Sequence, residues 1–93
     1  MISATAKTIW AQLTMQTKMA IGARDVLADG DKITMRVGGR AHRKITIKLN
    51  GLDLYDISFG KLTRGLDFIV LKIKMSVGVE ELNETVYRMV NGH

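Results

Sequence analysis

The side chains best suited to bind a partner lie between residues 32 and 48. The candidate contact residues are Lys32, Arg36, Arg40, His42, Arg43, Lys44 and Lys48. Six of them are lysine or arginine, and this stretch contains no acidic residue, so it carries a formal charge of +6. The other eight basic and nine acidic residues sum to −1, which accounts for the net charge of +5. A local concentration of cations suits phosphate groups or an acidic protein surface.

The other reactive side chains form no recognisable catalytic or metal-binding pattern. His42 has only the terminal His93 as a second imidazole, and the chain has no cysteine, so we expect no transition-metal site. Asp53 and Asp56 lie three residues apart in a predicted strand and point to opposite faces, which is unsuitable for paired acid and base catalysis. Ser58 lacks the context of a nucleophile elbow. We therefore expect a protein that is not an enzyme and has no cofactor.

The basic segment is predicted to form two antiparallel strands. Alternation sends one set of side chains to the core: Ile33, Met35, Val37, Ile45, Ile47 and Leu49. The same alternation sends Lys32, Arg36, Lys44 and Lys48 to the opposite face, with Arg40, His42 and Arg43 at the tip of the hairpin. No aromatic residue lies between residues 32 and 48 to stack on bases. The alternative is a solvated basic surface that discourages edge pairing.

Helices are predicted on both sides of the strands. Residues 5–19 have helical periodicity, with one apolar face formed by Ala6, Ile9, Trp10, Leu13 and Ala20. A second helix beyond Ser76 has its apolar positions at Val79, Leu82, Val86, Met89 and Val90. Glu80 and Glu81 complement the dipole in its first turn.

Further strands are expected around Val26, over residues 52–59 after an Asn50-Gly51 turn, and over residues 66–75. The last of these is so continuously apolar that a central or doubly covered position is predicted. Asp53 is expected to make a turn contact, and Asp56 a salt bridge to the basic face. The predicted fold class is α+β, an antiparallel four- to five-stranded meander sheet bracketed by an N-terminal and a C-terminal helix.

Length and composition limit the remaining possibilities. The chain has 93 residues, 46% of them hydrophobic and 25% charged, which predicts one globular domain over residues 1–93. No apolar run reaches the roughly 18 residues of a membrane span, so we expect no membrane partner and a cytoplasmic location.

Three segments resemble a family of small phage and prophage proteins. They are Met19–Arg24, with a "GAR" turn, Ile47–Phe59, with an "LN..DLYD..F" strand, and Gly78–Leu82 at the start of the closing helix. The similarity covers most of the chain in the same order. Two positions depart from the family pattern, since Met15–Lys18 replaces a Gly-Gly-Asn-Lys-type stretch and Glu80 follows Gly78-Val79 in place of tyrosine.

The resemblance implies a phage setting without implying a mechanism. Small non-catalytic phage proteins are often inhibitors of host defence, which is an argument by analogy of class. The favoured expectation is an anti-CRISPR type inhibitor that binds a CRISPR effector complex through the basic hairpin. The alternatives are a nucleic-acid-binding phage accessory protein and a virion or assembly component.

Overall fold

Three helices and five strands make up the part of the chain that the computed structural model describes, residues 4–38, 43–50, 52–63, 65 and 67–91. The helices are α1 (Ala4–Gln12), α2 (Met15–Ile21) and α3 (Val79–Asn91). The strands are β1 (Arg24–Asp29), β2 (Lys32–Arg36), β3 (Arg43–Leu49), β4 (Tyr55–Leu62) and β5 (Phe68–Val77).

The strands form one antiparallel sheet in the order β1-β2-β3-β4-β5, so sheet order follows chain order. Helix α1 packs against β2 and β3, while α3 packs against β4 and β5 and also contacts α1 and α2. One face of the sheet is therefore covered by helices, and we call the other the outer face. The predicted α+β meander between an N-terminal and a C-terminal helix is confirmed, with five strands.

The hydrophobic core lies between the helices and the covered face of the sheet. The strands contribute Ile33, Met35, Val37, Ile45, Ile47, Tyr55, Ile57, Phe59 and Val77. The helices and their ends contribute Ala6, Ile9, Leu13, Ile21, Leu82, Val86 and Met89. Leu49 is partly buried against this cluster. The alternation predicted for β2 and β3 is thus confirmed.

The single N-terminal helix predicted over residues 5–19 is wrong, because the chain breaks at Thr14 and starts a second helix. Thr14 has extended backbone angles (φ −73°, ψ 159°) and caps α2, where its Oγ1 accepts a hydrogen bond from the Thr17 N–H at 3.1 Å. The break changes the helical phase. Thr17 and Ile21 therefore face the core in α2, whereas Ala20 is exposed.

Asn83 of α3 holds the junction between α1 and α2. Its Oδ1 accepts from the Thr14 N–H at 2.8 Å, and its Nδ2 donates to the Gln12 carbonyl at 3.0 Å. These bonds satisfy backbone groups that the end of one helix and the start of the next leave unpaired. A short-range break is thereby fixed by a residue from the far end of the chain.

The connection between β3 and β4 is longer than the two-residue turn that Asn50-Gly51 predicts. Strand pairing stops at Leu49 and Tyr55, which are opposite each other. The Asn50 side chain accepts from the Leu52 N–H at 2.8 Å and from the Leu54 N–H at 3.2 Å. Asp53 has φ 59° and lies in this turn, not in a strand. This position agrees with the turn contact expected for Asp53. Strand β4 begins at Tyr55.

Strand β5 is an edge strand, so the prediction of a central or doubly covered strand is wrong. Within the described sheet it pairs only with β4, and its residues from Phe68 to Ser76 are all exposed. Its continuous apolar sequence is typical of a strand covered on both faces. The meander order nevertheless leaves the last strand at the edge.

Candidate binding surface

The register between β2 and β3 brings four cations together on the outer face. Lys32 is opposite Lys48, and Arg36 is opposite Lys44. Between these pairs lie Thr34 and Thr46, whose hydroxyl oxygens are 3.2 Å apart. Directly opposite residues of an antiparallel pair project from the same face. We call Lys32, Arg36, Lys44 and Lys48 the basic patch, and its two cation pairs lie about 13 Å apart along the strands.

Few carboxylates neutralise the basic patch. Arg36 Nε lies 3.7 Å from Asp25 Oδ2, and both side chains are about half exposed or more, at 48% and 65%. No ion pair forms between Lys32, Lys44 or Lys48 and any other described residue. Like charges directly opposite each other destabilise a sheet. The patch therefore presents its charge to solvent instead of using it for folding.

Asp56 is opposite Lys48 in the register but does not form the predicted salt bridge within the described structure. Its Oδ1 accepts from the Asn50 side-chain amide at 3.2 Å and from the Ser76 N–H at 2.9 Å. The carboxylate thus joins the β3–β4 turn to the end of β5. This leaves Lys48 available to a partner.

The remaining predicted contact residues are separated from the basic patch. Arg43 is the first residue of β3 and lies on the helix-covered face, since it alternates with Lys44 and is in phase with Ile45. Its Nη1 is buried and has no hydrogen-bond partner among the described residues. The prediction that Arg43 crowns the tip with the patch therefore needs correction. Arg40 and His42 lie outside the described residues.

The described side chains form no catalytic or metal-binding arrangement that we recognise. No group of three or more His, Cys, Asp or Glu residues among them is placed to hold a metal ion. Asp53 lies in the turn between β3 and β4. The Asp56 carboxylate accepts hydrogen bonds from Asn50 and Ser76. Ser58 is opposite Thr46 on one side and Ile73 on the other. Tyr55 is 4% exposed, and this burial raises its pKa.

Apolar side chains on β5 form a second candidate surface that the sequence reading missed. Six large ones are between 38% and 60% exposed: Phe68, Ile69, Val70, Leu71, Ile73 and Met75. We call them the β5 apolar edge. Two signals in the sequence could have revealed the β5 apolar edge: the apolar run over residues 66–75, and the fact that the last strand of a meander lies at the edge of the sheet.

Depressions lie at both edges of the sheet. A groove of about 530 Å³ lies between β5 and α3 and is lined by Lys72, Lys74, Glu81, Glu84 and Arg88, among others. A more apolar pocket of about 370 Å³ lies between α1 and β1 and includes Trp10 and Leu27. Trp10 is half-buried, and the Lys18 ammonium lies 3.9 Å from the centre of its ring. The tryptophan packs against the core, as expected, but keeps one side at the surface.

Comparison with protein-family models, with curated proteins and with solved structures found no significant match. Within the described ranges, no helix is long and apolar enough to cross a membrane.

Proposed function

We propose that the protein is a non-enzymatic, phage-encoded inhibitor of a host defence system that binds a CRISPR-type effector complex in the bacterial cytoplasm. The basic patch is its docking surface. The observation that carries the proposal is the pairing of cation against cation, Lys32 with Lys48 and Arg36 with Lys44, on the outer face of the sheet. An acidic patch on the partner would neutralise the charges of Lys32, Lys44 and Lys48, which form no ion pair with the described residues.

The geometry of the sheet favours an acidic protein surface over a nucleic acid. The patch lies on β2 and β3, and these strands are flanked by β1 and β4. Five strands span about 19 Å at their usual spacing. That is wider than the major groove of about 12 Å, so this sheet face cannot enter the groove as a two-stranded ribbon does.

The outer face also offers little to single-stranded nucleic acid. The row across its middle consists of Leu27, Thr34, Thr46, Ser58 and Ile73, each opposite the next. None of these side chains is aromatic, and base stacking on aromatic rings supplies much of the affinity in sequence-tolerant binding of single strands. The aromatic Phe68 lies on β5 at the edge of this face, away from the patch on β2 and β3. The fixed charges at the polar centre of the face are better suited to a protein surface of complementary potential.

The phage setting and the choice of a defence complex rest on the resemblance of Met19–Arg24, Ile47–Phe59 and Gly78–Leu82 to small phage proteins. An inhibitor of this kind needs only a stable fold that presents one specific surface. The dense core and the outward-facing patch meet that requirement.

The test is affinity purification of the tagged protein from a host that expresses a CRISPR effector complex, after nuclease treatment of the lysate. The wild-type protein is compared with a double variant that removes two patch charges, Lys44→Gln and Lys48→Gln. The matched control removes two exposed charges elsewhere, with Lys7→Gln and Lys61→Gln. We expect the wild type and the control to retain effector subunits and the patch variant to lose them.

Two results would contradict the proposal. The first is recovery of nucleic acid with no protein partner, with affinity falling by about 0.9 log units per log unit of salt for each duplex phosphate contacted. The second is equal recovery of the effector by wild type and patch variant, which would place the docking surface elsewhere.

A further inference from the structure

The β5 apolar edge is unusual for the outermost strand of a sheet. Strand β5 is ten residues long and contains no proline. Long, exposed and apolar edges readily pair with another strand, and proteins normally protect them with charges, short strands, bulges or proline. A strand of this composition is expected to have both of its faces covered.

The opposite edge of the same sheet is protected in these ways. Strand β1 has six residues, including Arg24, Asp25 and Asp29. Its register with β2 is interrupted between Arg24 and Leu27, and that of β5 with β4 is interrupted as well, between Tyr55 and Ile57 and between Phe59 and Gly60. The two edges therefore differ in length and in charge, and β5 is the longer and more apolar of the two.

The two lysines of β5 do not protect its edge. They are opposite Phe59 and Ile57, so they project from the helix-covered face. Lys72 Nζ donates to the Met89 carbonyl at 3.2 Å and lies 5.8 Å from the centre of the Phe59 ring. Lys74 lines the groove beside α3, together with Glu81 and Glu84. Both ammonium groups thus lie on the helix-covered face, beside α3 of the same chain.

On the outer face, by contrast, β5 is apolar throughout the described pairing. Phe68, Val70 and Ile73 project from this face, because they are opposite Leu62, Gly60 and Ser58. Phe68 also covers Gly60, since a Cβ at Gly60 would lie 2.8 Å from Phe68 Cζ. No charged side chain interrupts this stripe along the strand.

We propose that β5 pairs antiparallel with β5 of a second copy of this chain, so that two five-stranded sheets join into one sheet of ten strands. An antiparallel pair of identical strands has two-fold symmetry, and each strand supplies both donors and acceptors to the other. The arrangement continues the antiparallel order of the meander. It also buries apolar side chains against their counterparts across the axis.

The area of this surface fits a second copy. Six large apolar side chains exposed by 38% to 60% present several hundred Å², on the order of 500 Å². A standard interface buries about 800 Å² per partner, so the edge and its rim approach what a stable dimer needs.

Sedimentation velocity of the full chain across the micromolar range tests the proposal. We expect the mass to rise from 10.3 kDa toward twice that value. Ile73→Lys should keep the protein monomeric over the whole range. Leu27→Lys is the matched control, because Leu27 is 64% exposed and Ile73 60% exposed, on the same outer face at opposite edges. It should dimerise like the wild type.

The proposal is overturned if the wild type stays monomeric, if Ile73→Lys still dimerises, or if Leu27→Lys abolishes the dimer. A second measurement uses the absence of cysteine in the chain. Single-cysteine variants at Val70, Leu71 and Ile73 should give a disulfide-linked dimer on oxidation at the position nearest the axis. Leu27→Cys should give none. Absence of a linked dimer at all three β5 positions would also overturn the proposal, even if Ile73→Lys failed to fold.

Discussion

Reversing the charge of Lys44 should stabilise the fold while it impairs binding to an acidic partner. Lys44 is opposite Arg36 on one side and Gly60 on the other, so a glutamate there meets one cation and no carboxylate in the register. The other patch lysines are less suitable, since Lys32 is opposite Asp29 and Lys48 is opposite Asp56. Lys44→Glu therefore converts a repulsive cross-strand pair into an attractive one.

The size of the effect follows from the geometry of the pair. Opposite residues in an antiparallel ladder have Cβ atoms about 5 Å apart, and such pairs change stability by about 0.2–1 kcal/mol. Since the Arg36 side chain is 48% exposed and already lies 3.7 Å from the Asp25 carboxylate, solvent screening and the shared partner place the effect in the lower part of that range, at about 0.3 kcal/mol. For a domain of this size the midpoint of thermal unfolding should rise by about 1–2 °C.

Thermal unfolding followed by circular dichroism, at low salt and in 1 M salt, checks this prediction. High salt shortens the screening length to about 3 Å, so it should stabilise the wild type and narrow its difference from Lys44→Glu. Lys7→Gln, compared with Lys44→Gln, controls for net charge alone. The reasoning is refuted if Lys44→Glu unfolds at a lower temperature than the wild type in low salt, or if the two charge-neutralised variants behave alike.

Three further predictions concern the fold. Gly60→Ala should destabilise the protein by about 1–3 kcal/mol, because the new Cβ would overlap the Ile69 carbonyl oxygen. Gly65→Ala, where the nearest atom is 3.6 Å away, should cost much less in urea unfolding, and equal losses would contradict the close approach. Asn83→Ala should lower the free energy of unfolding in urea by about 1–2 kcal/mol, because two hydrogen bonds at the junction of α1 and α2 are lost. An unchanged midpoint of urea unfolding would contradict this role of Asn83. Burial raises the pKa of Tyr55, so the folded state binds the phenolic proton more tightly than the unfolded chain does. The resulting stabilisation of the folded state is fully present below about pH 10 and is lost as the pH rises further. Tyr55→Phe should therefore flatten the alkaline decline in the free energy of unfolding, and an identical decline in both proteins would refute this.

The sequence predicts the central hairpin well because the information there is local. Alternation alone separates Ile33, Met35 and Ile45 from Lys32 and Lys44, and the register keeps that separation. The apolar face and the basic face of the hairpin could therefore be assigned without knowledge of the rest of the fold.

The failures of sequence reasoning occur where the outcome depends on distant residues. The break at Thr14 is fixed by Asn83, which is 69 positions away. The exposure of β5 depends on which strand ends the sheet, and no local pattern encodes that order. The sequence pattern assigns Arg43 to the tip of the hairpin, because it defines strand ends to within a few residues. The place of Arg43 as the first residue of β3 decides which face it occupies.

Sheet order that follows chain order also bears on the speed of folding. Each strand pairs with its neighbour in the chain, so every pairing closes a short loop and costs little chain entropy. The contacts that span the chain are those of α3, whose Asn83 bonds reach back 69 and 71 residues. We therefore expect the hairpins to form early and the docking of α3 late. Asn83→Ala should then mainly accelerate unfolding and leave the folding rate nearly unchanged.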